Sequence, residues 1–174
     1  MKKLKNNELK RINIEEFKKS HKIPLTIILD NVRSAFNVGA IFRTADAFLI
    51  QKIILCGITA IPPNKEIHKA ALGATLSVEW EHYNNTSEII HKLKKEKTHI
   101  IAVEQTKESK PLHNFIHKKE SIAIIVGNEV NGISEEVLNL CDDFIEIEQF
   151  GTKHSLNISV ATAIVTWEFW KKLT

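Results

Sequence analysis

Short runs of apolar and β-branched residues alternate along this chain with segments whose apolar residues recur at helical spacing. Runs of this kind, bounded by Pro, Gly, Asn or Asp, are typical of strands buried on both faces of a sheet. Because helical patterns separate the runs, we expect an α/β fold with a mostly parallel sheet and helices on both faces. The predicted strands are 25–29, 52–56, 77–83, 99–104, 121–126 and 143–148.

The segments between these strands carry helix signals. Thr86 and Ser134 each precede a helical pattern, where a side-chain oxygen caps free backbone N–H groups, so we predict both as N-caps. The stretch around Pro62 and Pro63 is predicted as a loop. The predicted helices are 4–19, 40–48, 66–72, 86–97, 134–140 and 156–172.

The last predicted helix is unusually apolar. Nine of the thirteen residues at 158–170 are apolar. A helix on the surface needs a polar face, so this one is predicted to be buried nearly all round. A subunit interface and the centre of a core both fit, and in a chain of 174 residues the interface is favoured.

The formal net charge of +3 is unevenly spread. Residues 1–22 carry eight Lys or Arg and three Glu, a net of +5, so the rest of the chain carries −2. A basic segment on a near-neutral body suits a polyanionic partner, and a solvated helix face explains the same charges. We therefore divide the chain into a basic N-terminal helical arm, 1–22, and a domain, 23–174.

Composition restricts the class of protein further. The apolar share of 43% and the charged share of 26% are those of a soluble domain. No apolar run approaches the roughly 18 residues of a membrane span, and the polar N-terminus lacks a signal-peptide core, so we expect a cytoplasmic protein. Cys56 and Cys141 match no metal or redox spacing, and reduced thiols are favoured over a disulfide. His113 and His117 lack a third ligand, so no metal is expected.

Three segments that follow predicted strands carry candidate chemistry, since α/β proteins bind ligands at the carboxyl ends of their strands. In the first, Asn37, Gly39 and Arg43 form the pattern Asn-x-Gly-x-x-x-Arg. Gly39 is predicted to open a helix whose free N–H groups receive an anion, with Arg43 one turn further on. Alternatively, Arg43 forms a structural pair with Asp30 or Asp46.

The second segment is a glycine-bounded turn at 127–132. Gly127 and Gly132 lie five residues apart, and Glu129 is the only ionisable residue between them. No Gly-Lys-Ser/Thr follows, and no Gly-x-Gly occurs in the chain, which argues against classical NTP and dinucleotide sites. Glu129 either accepts backbone hydrogen bonds that hold the loop or belongs to a binding site.

The third segment leads into the last helix. Gly151 is followed by Ser155 and Asn157, both residue types that cap helices well. The functional alternative is that both side chains face a ligand beside the Gly127 turn.

Together the three segments resemble the SpoU (TrmH-type) family of RNA 2′-O-ribose methyltransferases in the SPOUT superfamily. The likeness extends over about residues 24–170 and includes the stretch HKAALGATLSVEW, apart from Glu79, where many members carry Pro. The family implies a SPOUT fold with a deep C-terminal trefoil knot from about 120 to 160, a homodimer with its active site at the interface, S-adenosylmethionine as cofactor, and tRNA or rRNA as substrate. The alternatives are a non-catalytic RNA-binding or assembly factor that retains the fold, and a flavodoxin-like binder of another nucleotide.

The resemblance also implies roles for residues. Arg43 would reach the site from the other subunit and activate the 2′-hydroxyl, Asn37 and Ser155 would orient the ribose or Arg43, Glu129 would brace the site and Asn157 the cofactor loop. The adenosine would be held by backbone groups near five positions: Val103, Glu104, Gly127, Ile147 and Leu156.

Overall fold

The computed structural model describes residues 1–116 and 121–174, so His117 of the histidine pair lies outside the described residues. Within them, one sheet of parallel strands has the order β3-β2-β1-β6-β4-β7-β5. The predicted α/β class and parallel sheet are confirmed. The strands are β1 Ile23–Asp30, β2 Ile50–Cys56, β3 Glu79–Tyr83, β4 His99–Val103, β5 Lys110–Pro111, β6 Ile122–Val126 and β7 Asp143–Glu146.

Helices cover both faces of the sheet because the central strands are apolar on both sides. Ile27 and Ile28 are adjacent and both fully buried, and they belong to different hydrophobic clusters. The helices α1 Ile14–Lys19, α2 Ala35–Ala47, α3 Lys65–Ala71 and α6 Ile158–Leu173 pack on the face of Ile27. The helices α4 Thr86–Lys95 and α5 Glu135–Leu138 pack on the face of Ile28.

The first helix is much shorter than the predicted 4–19. Asn13 is its N-cap and forms a capping box with Glu16: the Asn13 side chain accepts the Glu16 N–H at 2.9 Å, and the Glu16 carboxylate accepts the Asn13 N–H at 2.8 Å. Leu9 and Ile12 are exposed, whereas Phe17 is 3% exposed. The helix therefore begins at the capping box, and its buried contact is made by Phe17 alone of the three predicted apolar residues.

Of the two predicted caps, Ser134 is confirmed and Thr86 is wrong. The Ser134 side chain accepts the Val137 N–H. Asn85 caps α4 instead, accepting the Ser87 N–H at 2.8 Å. The Thr86 hydroxyl is buried and donates to Asp30 at 2.5 Å, so it holds α4 to the end of β1.

Gly39 does not open a helix. Ser34 is the N-cap of α2, so Gly39 lies in the helix interior and the predicted anion site on its N–H group is wrong. A Cβ at this position would lie 2.5 Å from the Ile67 carbonyl oxygen and 2.8 Å from the Ala70 Cβ. The glycine is needed because α2 and α3 pack backbone against backbone here.

The last helix is buried on one face only, so the prediction of burial nearly all round is wrong for the single chain. Val165 and Phe169 face the core, whereas Val160, Ile164 and Trp167 are 47%, 39% and 46% exposed. This exposure rules out a central core helix. The exposed face is apolar and solvent-accessible in the monomer.

The two cysteines are free thiols, as expected. Burial raises the pKa of Cys56 and that of Cys141 to about 12. Because the thiolate is the nucleophilic form, neither residue suits covalent catalysis at neutral pH. In the described part of the chain, no helix is long and apolar enough to cross a membrane.

Replacing Gly39 with alanine tests the α2–α3 contact. The added methyl group must push two backbones apart, so we expect Gly39→Ala to lower the free energy of unfolding by about 1 to 3 kcal/mol in urea titrations. Gly151→Ala is the matched control, since its Cβ would meet nothing within 4 Å. Equal stability of the two variants would contradict the close packing.

Candidate active site

A cavity of about 400 Å³ lies past the carboxyl ends of β4, β6 and β7, and we call it the edge cavity. Parallel strands end at the same edge of a sheet, and ligands of α/β proteins bind outside that edge. Four stretches of chain supply its lining: 103–105, 126–132, 146–149 and 155–161. The cavity therefore brings the second and third candidate segments together.

The turn after β6 is closed by its own backbone. Asn128 and Gly132 exchange two backbone hydrogen bonds, at 3.1 and 2.9 Å, and the Asn128 side chain accepts the N–H groups of Val130 and Asn131. A Cβ at Gly127 would collide with the backbone of Gly132. Gly132 itself has φ +65°, a conformation that favours glycine. The spacing of the two glycines thus reflects a tight hairpin-like turn.

Glu129 extends from this turn to the start of α2. One carboxylate oxygen accepts the Arg33 N–H at 2.9 Å, and the other accepts the Ser34 N–H at 3.0 Å and the Asn37 side-chain amide at 3.1 Å. The first N–H groups of a helix have no partner within the helix, and the helix dipole favours negative charge there. Glu129 therefore holds the turn against the N-terminus of α2.

These contacts shift the ionisation of Glu129. Burial by itself raises the pKa of the carboxyl group, but the hydrogen bonds from Arg33, Ser34 and Asn37 outweigh it, so its pKa lies below the ordinary value of 4.5. The carboxylate is the form that accepts all three donors. The ionised form consequently stabilises the arrangement of turn and helix.

Asn37 continues the connection to the last helix. It is 7% exposed, and its side-chain oxygen accepts the Asn157 amide at 3.2 Å. Asn157 is also the N-cap of α6, with its oxygen accepting the Ser159 N–H at 2.9 Å. A chain of hydrogen-bonded side chains thus joins Glu129, Asn37 and Asn157, one from each candidate segment.

Glu104 fixes the turn from the side of β4. Its carboxylate accepts the Ile133 N–H at 3.1 Å and the Gln105 N–H at 3.0 Å. A Cβ at Gly132 would collide with this carboxylate. Sequence reasoning selected Glu104 for its backbone, and the structure adds this use of its side chain.

The residues selected from the sequence fall into two groups. Those that line the edge cavity are Val103, Glu104, Gly127, Glu129, Ile147, Ser155, Leu156 and Asn157. Asn37 is bonded to two of them from α2. Arg43 does not line this cavity; it borders a second cavity on the outer side of α2 and α3. Within the described residues, Ser155 makes no capping hydrogen bond, so only Asn157 caps α6.

The predicted Arg–Asp pair is wrong. Arg43 is exposed and forms no ion pair with any described residue. Asp30 bonds to Thr86 and Asn31, and Asp46 accepts a hydrogen bond from Ser77. The Arg43 guanidinium is thus available to a partner outside the single chain.

The edge cavity has a one-sided charge. Its ionisable lining residues are Glu104, Glu129 and Glu146, and its described lining contains no Lys, Arg or His. Such a cavity suits a ligand with positive charge. Sequence reasoning missed Glu146 because it lies in an ordinary strand pattern. The described residues contain no group of three His, Cys, Asp or Glu side chains that could hold a metal ion.

Known proteins that resemble this chain belong to one family of methyltransferases. The model of the SpoU rRNA Methylase family matches residues 24–167. The 23S rRNA (guanosine-2′-O-)-methyltransferase RlmB of Neisseria meningitidis is 32% identical over 145 residues, 83% of this chain and 57% of that protein. The RlmB of Vibrio vulnificus is 30% identical over 163 residues, 92% of this chain and 64% of that protein. The chain thus spans less than two thirds of these curated relatives.

Solved structures share the fold. The A. aeolicus TrmH/SpoU tRNA modifying enzyme superimposes with a TM-score of 0.81 at 28% identity, covering 91% of this chain and 80% of that one. The AdoMet-bound rRNA methyltransferase from Sinorhizobium meliloti has a TM-score of 0.82 at 28% identity, covering 91% of this chain and 60% of that one.

The pH dependence of stability tests the role of Glu129. Because its pKa is lowered in the folded state, its ionisation stabilises the fold above the ordinary pKa, and this contribution is lost as the pH falls through the folded value. We expect Glu129→Gln to be less stable than the wild type at about pH 7, and the difference to shrink in urea titrations as the pH falls below the ordinary carboxyl pKa and through the lower folded value. Glu108→Gln, at an exposed position, is the control. A difference that stays constant with pH would contradict this assignment.

Proposed function

Because the chain belongs to the SpoU rRNA methylase family, we propose that it transfers a methyl group from S-adenosylmethionine to a ribose 2′-hydroxyl of tRNA or rRNA. The observation that carries the proposal is the edge cavity, where the turns after three parallel strands meet beside the Glu129–Asn37–Asn157 chain of hydrogen bonds. We infer that the reaction takes place in the cytoplasm, as expected for the modification of tRNA or rRNA.

The edge cavity fits the methyl donor in size and chemistry. A cavity of about 400 Å³ falls within the range of sites for small ligands. The apolar side chains of Val103, Ile147 and Leu156 line the cavity and would hold the adenine, with neighbouring backbone N–H and C=O groups as its hydrogen-bond partners. The carboxylates of Glu104 and Glu146 complement the positive sulfonium and ammonium groups. When bound, S-adenosylmethionine supplies a methyl group on a positively charged sulfur, which leaves as a neutral thioether.

Arg43 supports the reaction electrostatically. An arginine side chain keeps its proton in proteins and is a poor general base, so Arg43 does not remove the hydroxyl proton itself. Its guanidinium binds the phosphate next to the target ribose and stabilises negative charge as it develops on the 2′-oxygen. The proton passes to that phosphate or to water. Asn37 and Ser155 orient the ribose or Arg43, Glu129 holds the turn, and Asn157 holds the loop before α6.

The position of Arg43 favours a site shared between two copies of the chain. Arg43 lies outside the edge cavity of its own chain, next to an exposed apolar surface on α2, α3 and α6. Burying this surface against a second copy removes apolar area from water and brings each Arg43 to its partner's cavity. Its exposed members are Phe36, Leu72, Val160, Ile164 and Trp167.

The chain from about 120 to 160 forms the trefoil knot of the SPOUT fold in this proposal. Two observations support it. Residues 127–132 and 155–157 line one cavity although β7 lies between them in sequence. The match to the Sinorhizobium structure extends over 91% of the chain.

Subunit mixing tests Arg43 and the homodimer together. We expect Arg43→Ala to reduce methyl transfer by at least about 100-fold while leaving affinity for S-adenosylmethionine within a few-fold. Leu156→Trp, which blocks the edge cavity, is also expected to be inactive. If Arg43 acts in the partner's site, co-refolding the two inactive variants restores about a quarter of the wild-type sites.

Three results would contradict this scheme. Full activity of Arg43→Ala would remove Arg43 from the mechanism, and an inactive mixture would contradict its action in the partner's site. A wild type that binds tRNA or rRNA transcripts without methylating them would support the non-catalytic binding factor instead. Lys95→Ala, at an exposed position at the end of α4, serves as the control for loss of one positive charge.

The basic N-terminal segment adds affinity for RNA in this proposal. The predicted arm, 1–22, is not wholly separate from the domain. It includes Phe17, which is buried in the core, and Lys22, whose amine lies 3.9 Å from the Phe17 ring centroid. Lys18 and Lys19 of α1 are exposed as well, and the part that can be removed without disturbing the Phe17 contact is residues 1–12, which precede the Asn13 cap.

Deleting residues 1–12 tests this role of the segment. The deletion removes five basic residues and leaves the α1 capping box in place. We expect weaker RNA binding with a smaller slope of log affinity against log salt, and an unchanged thermal unfolding midpoint. An unchanged salt slope would mean that the segment is only a solvated surface.

A further inference from the structure

The chain uses arginine sparingly. Of its 24 Lys and Arg residues, three are arginines: Arg11, Arg33 and Arg43. A guanidinium differs from an ammonium in its planar set of donors, which bind a phosphate with two parallel hydrogen bonds. Two of the three arginines lie within the segment from the end of β1 to α2, beside the edge cavity and at the proposed interface. Arg43 has a proposed role, and Arg33 has none so far.

The backbone of Arg33 is fixed at the rim of the edge cavity. Its N–H donates to the Glu129 carboxylate at 2.9 Å, and Glu129 lines the cavity. The preceding residues are held as well, because the Asn31 carbonyl accepts the Asn128 side-chain amide at 2.8 Å and Val32 is fully buried. Arg33 therefore projects its side chain from a rigid base next to the turn that we assign to the methyl donor.

The guanidinium of Arg33 is free to bind a ligand. Its side chain is exposed and forms no ion pair or hydrogen bond with the described residues. The carboxylate of Glu129, which its backbone contacts, already accepts three N–H donors from Arg33, Ser34 and Asn37. The positive charge of Arg33 is therefore not used to hold the fold.

The carboxylates of the edge cavity favour a cationic group at its rim where RNA binds. Glu104, Glu129 and Glu146 line the cavity, and no basic side chain does so in the described chain. These carboxylates suit a cationic methyl donor but repel the phosphates on either side of the target ribose. A cation at the rim offsets this repulsion where the RNA backbone enters.

We propose that Arg33 binds an RNA backbone phosphate next to the target ribose, from the same subunit that holds the methyl donor. This inference rests on the proposed function. In the proposed dimer, Arg43 comes from one copy of the chain and Arg33 from the copy that forms the cavity. The two guanidinium groups hold the RNA backbone on both sides of the reacting sugar. Arg33 acts on RNA affinity and register, and the methyl donor binds independently of it.

The test compares Arg33→Ala and Arg33→Lys with Lys95→Ala in the full-length protein. The probes are unmodified tRNA and rRNA transcripts, and the assay uses whichever of them the wild type methylates. We expect Arg33→Ala to raise the KM for RNA about tenfold and to reduce the slope of log KM against log salt by about one. Arg33→Lys keeps the charge, so it retains the salt slope with an intermediate KM.

Two readouts distinguish RNA binding from a structural effect. We expect the affinity of Arg33→Ala for S-adenosylmethionine, measured by calorimetry, and its thermal unfolding midpoint to equal those of the wild type and of Lys95→Ala. A lower affinity for S-adenosylmethionine or a lower unfolding midpoint in Arg33→Ala would show that Arg33 has a structural role, and it would overturn the inference. A KM and salt slope equal to the wild-type values would overturn it too, while leaving the proposed function intact. A wild type that methylates neither transcript would refute the proposed function itself.

Discussion

The site depends on one carboxylate, Glu129, that satisfies the free N–H groups at the start of a helix from a different part of the chain. Its three hydrogen bonds fasten the turn after β6 to α2. Because Asn37 passes the connection to Asn157, the start of α6 is held in the same network. Without this carboxylate, the helix would expose unpaired donors and the turn would lose its contact to α2. Glu129 therefore fixes the turn that lines the edge cavity by accepting hydrogen bonds that the start of α2 has to make outside the helix.

In the proposed reaction, the two ends of α2 have different roles. One end of α2 supports the edge cavity, while Arg43 on its outer side belongs to the apolar surface that we assign to the dimer interface. In the proposed dimer, one end of α2 would support the cavity of its own chain and the other end would contribute Arg43 to the partner's cavity. Arg33, at the beginning of this helix, extends the scheme to the RNA backbone. The proposed site is therefore incomplete in one copy of the chain, which accounts for an exposed arginine without an ion pair.

Much of the fold was predictable because a strand that is buried on both faces of the sheet needs apolar residues at consecutive positions. Ile27 and Ile28 lie on opposite faces, and both had to be apolar for β1 to lie at the centre of the sheet. The two-residue strand Lys110–Pro111 has no such apolar run. The length of the N-terminal helix was overestimated, because the spacing of apolar residues does not show that the capping box at Asn13 begins the helix. Of the site, the turns after strands were predictable from their glycines and caps. The partners of Glu129, the interior position of Gly39 and the exposure of Arg33 depend on contacts between distant segments, which local patterns do not contain.

The most direct test of this account is a two-dimensional ¹H–¹⁵N NMR titration of the full-length protein with S-adenosylmethionine. The account predicts one saturable binding event per chain in which the backbone amides of Gly127, Gly132 and Leu156 shift together, while those at the opposite edge of the sheet, such as Lys95, do not. Saturable shifts confined to other segments, or no binding at all, would contradict the assignment of the edge cavity to the methyl donor.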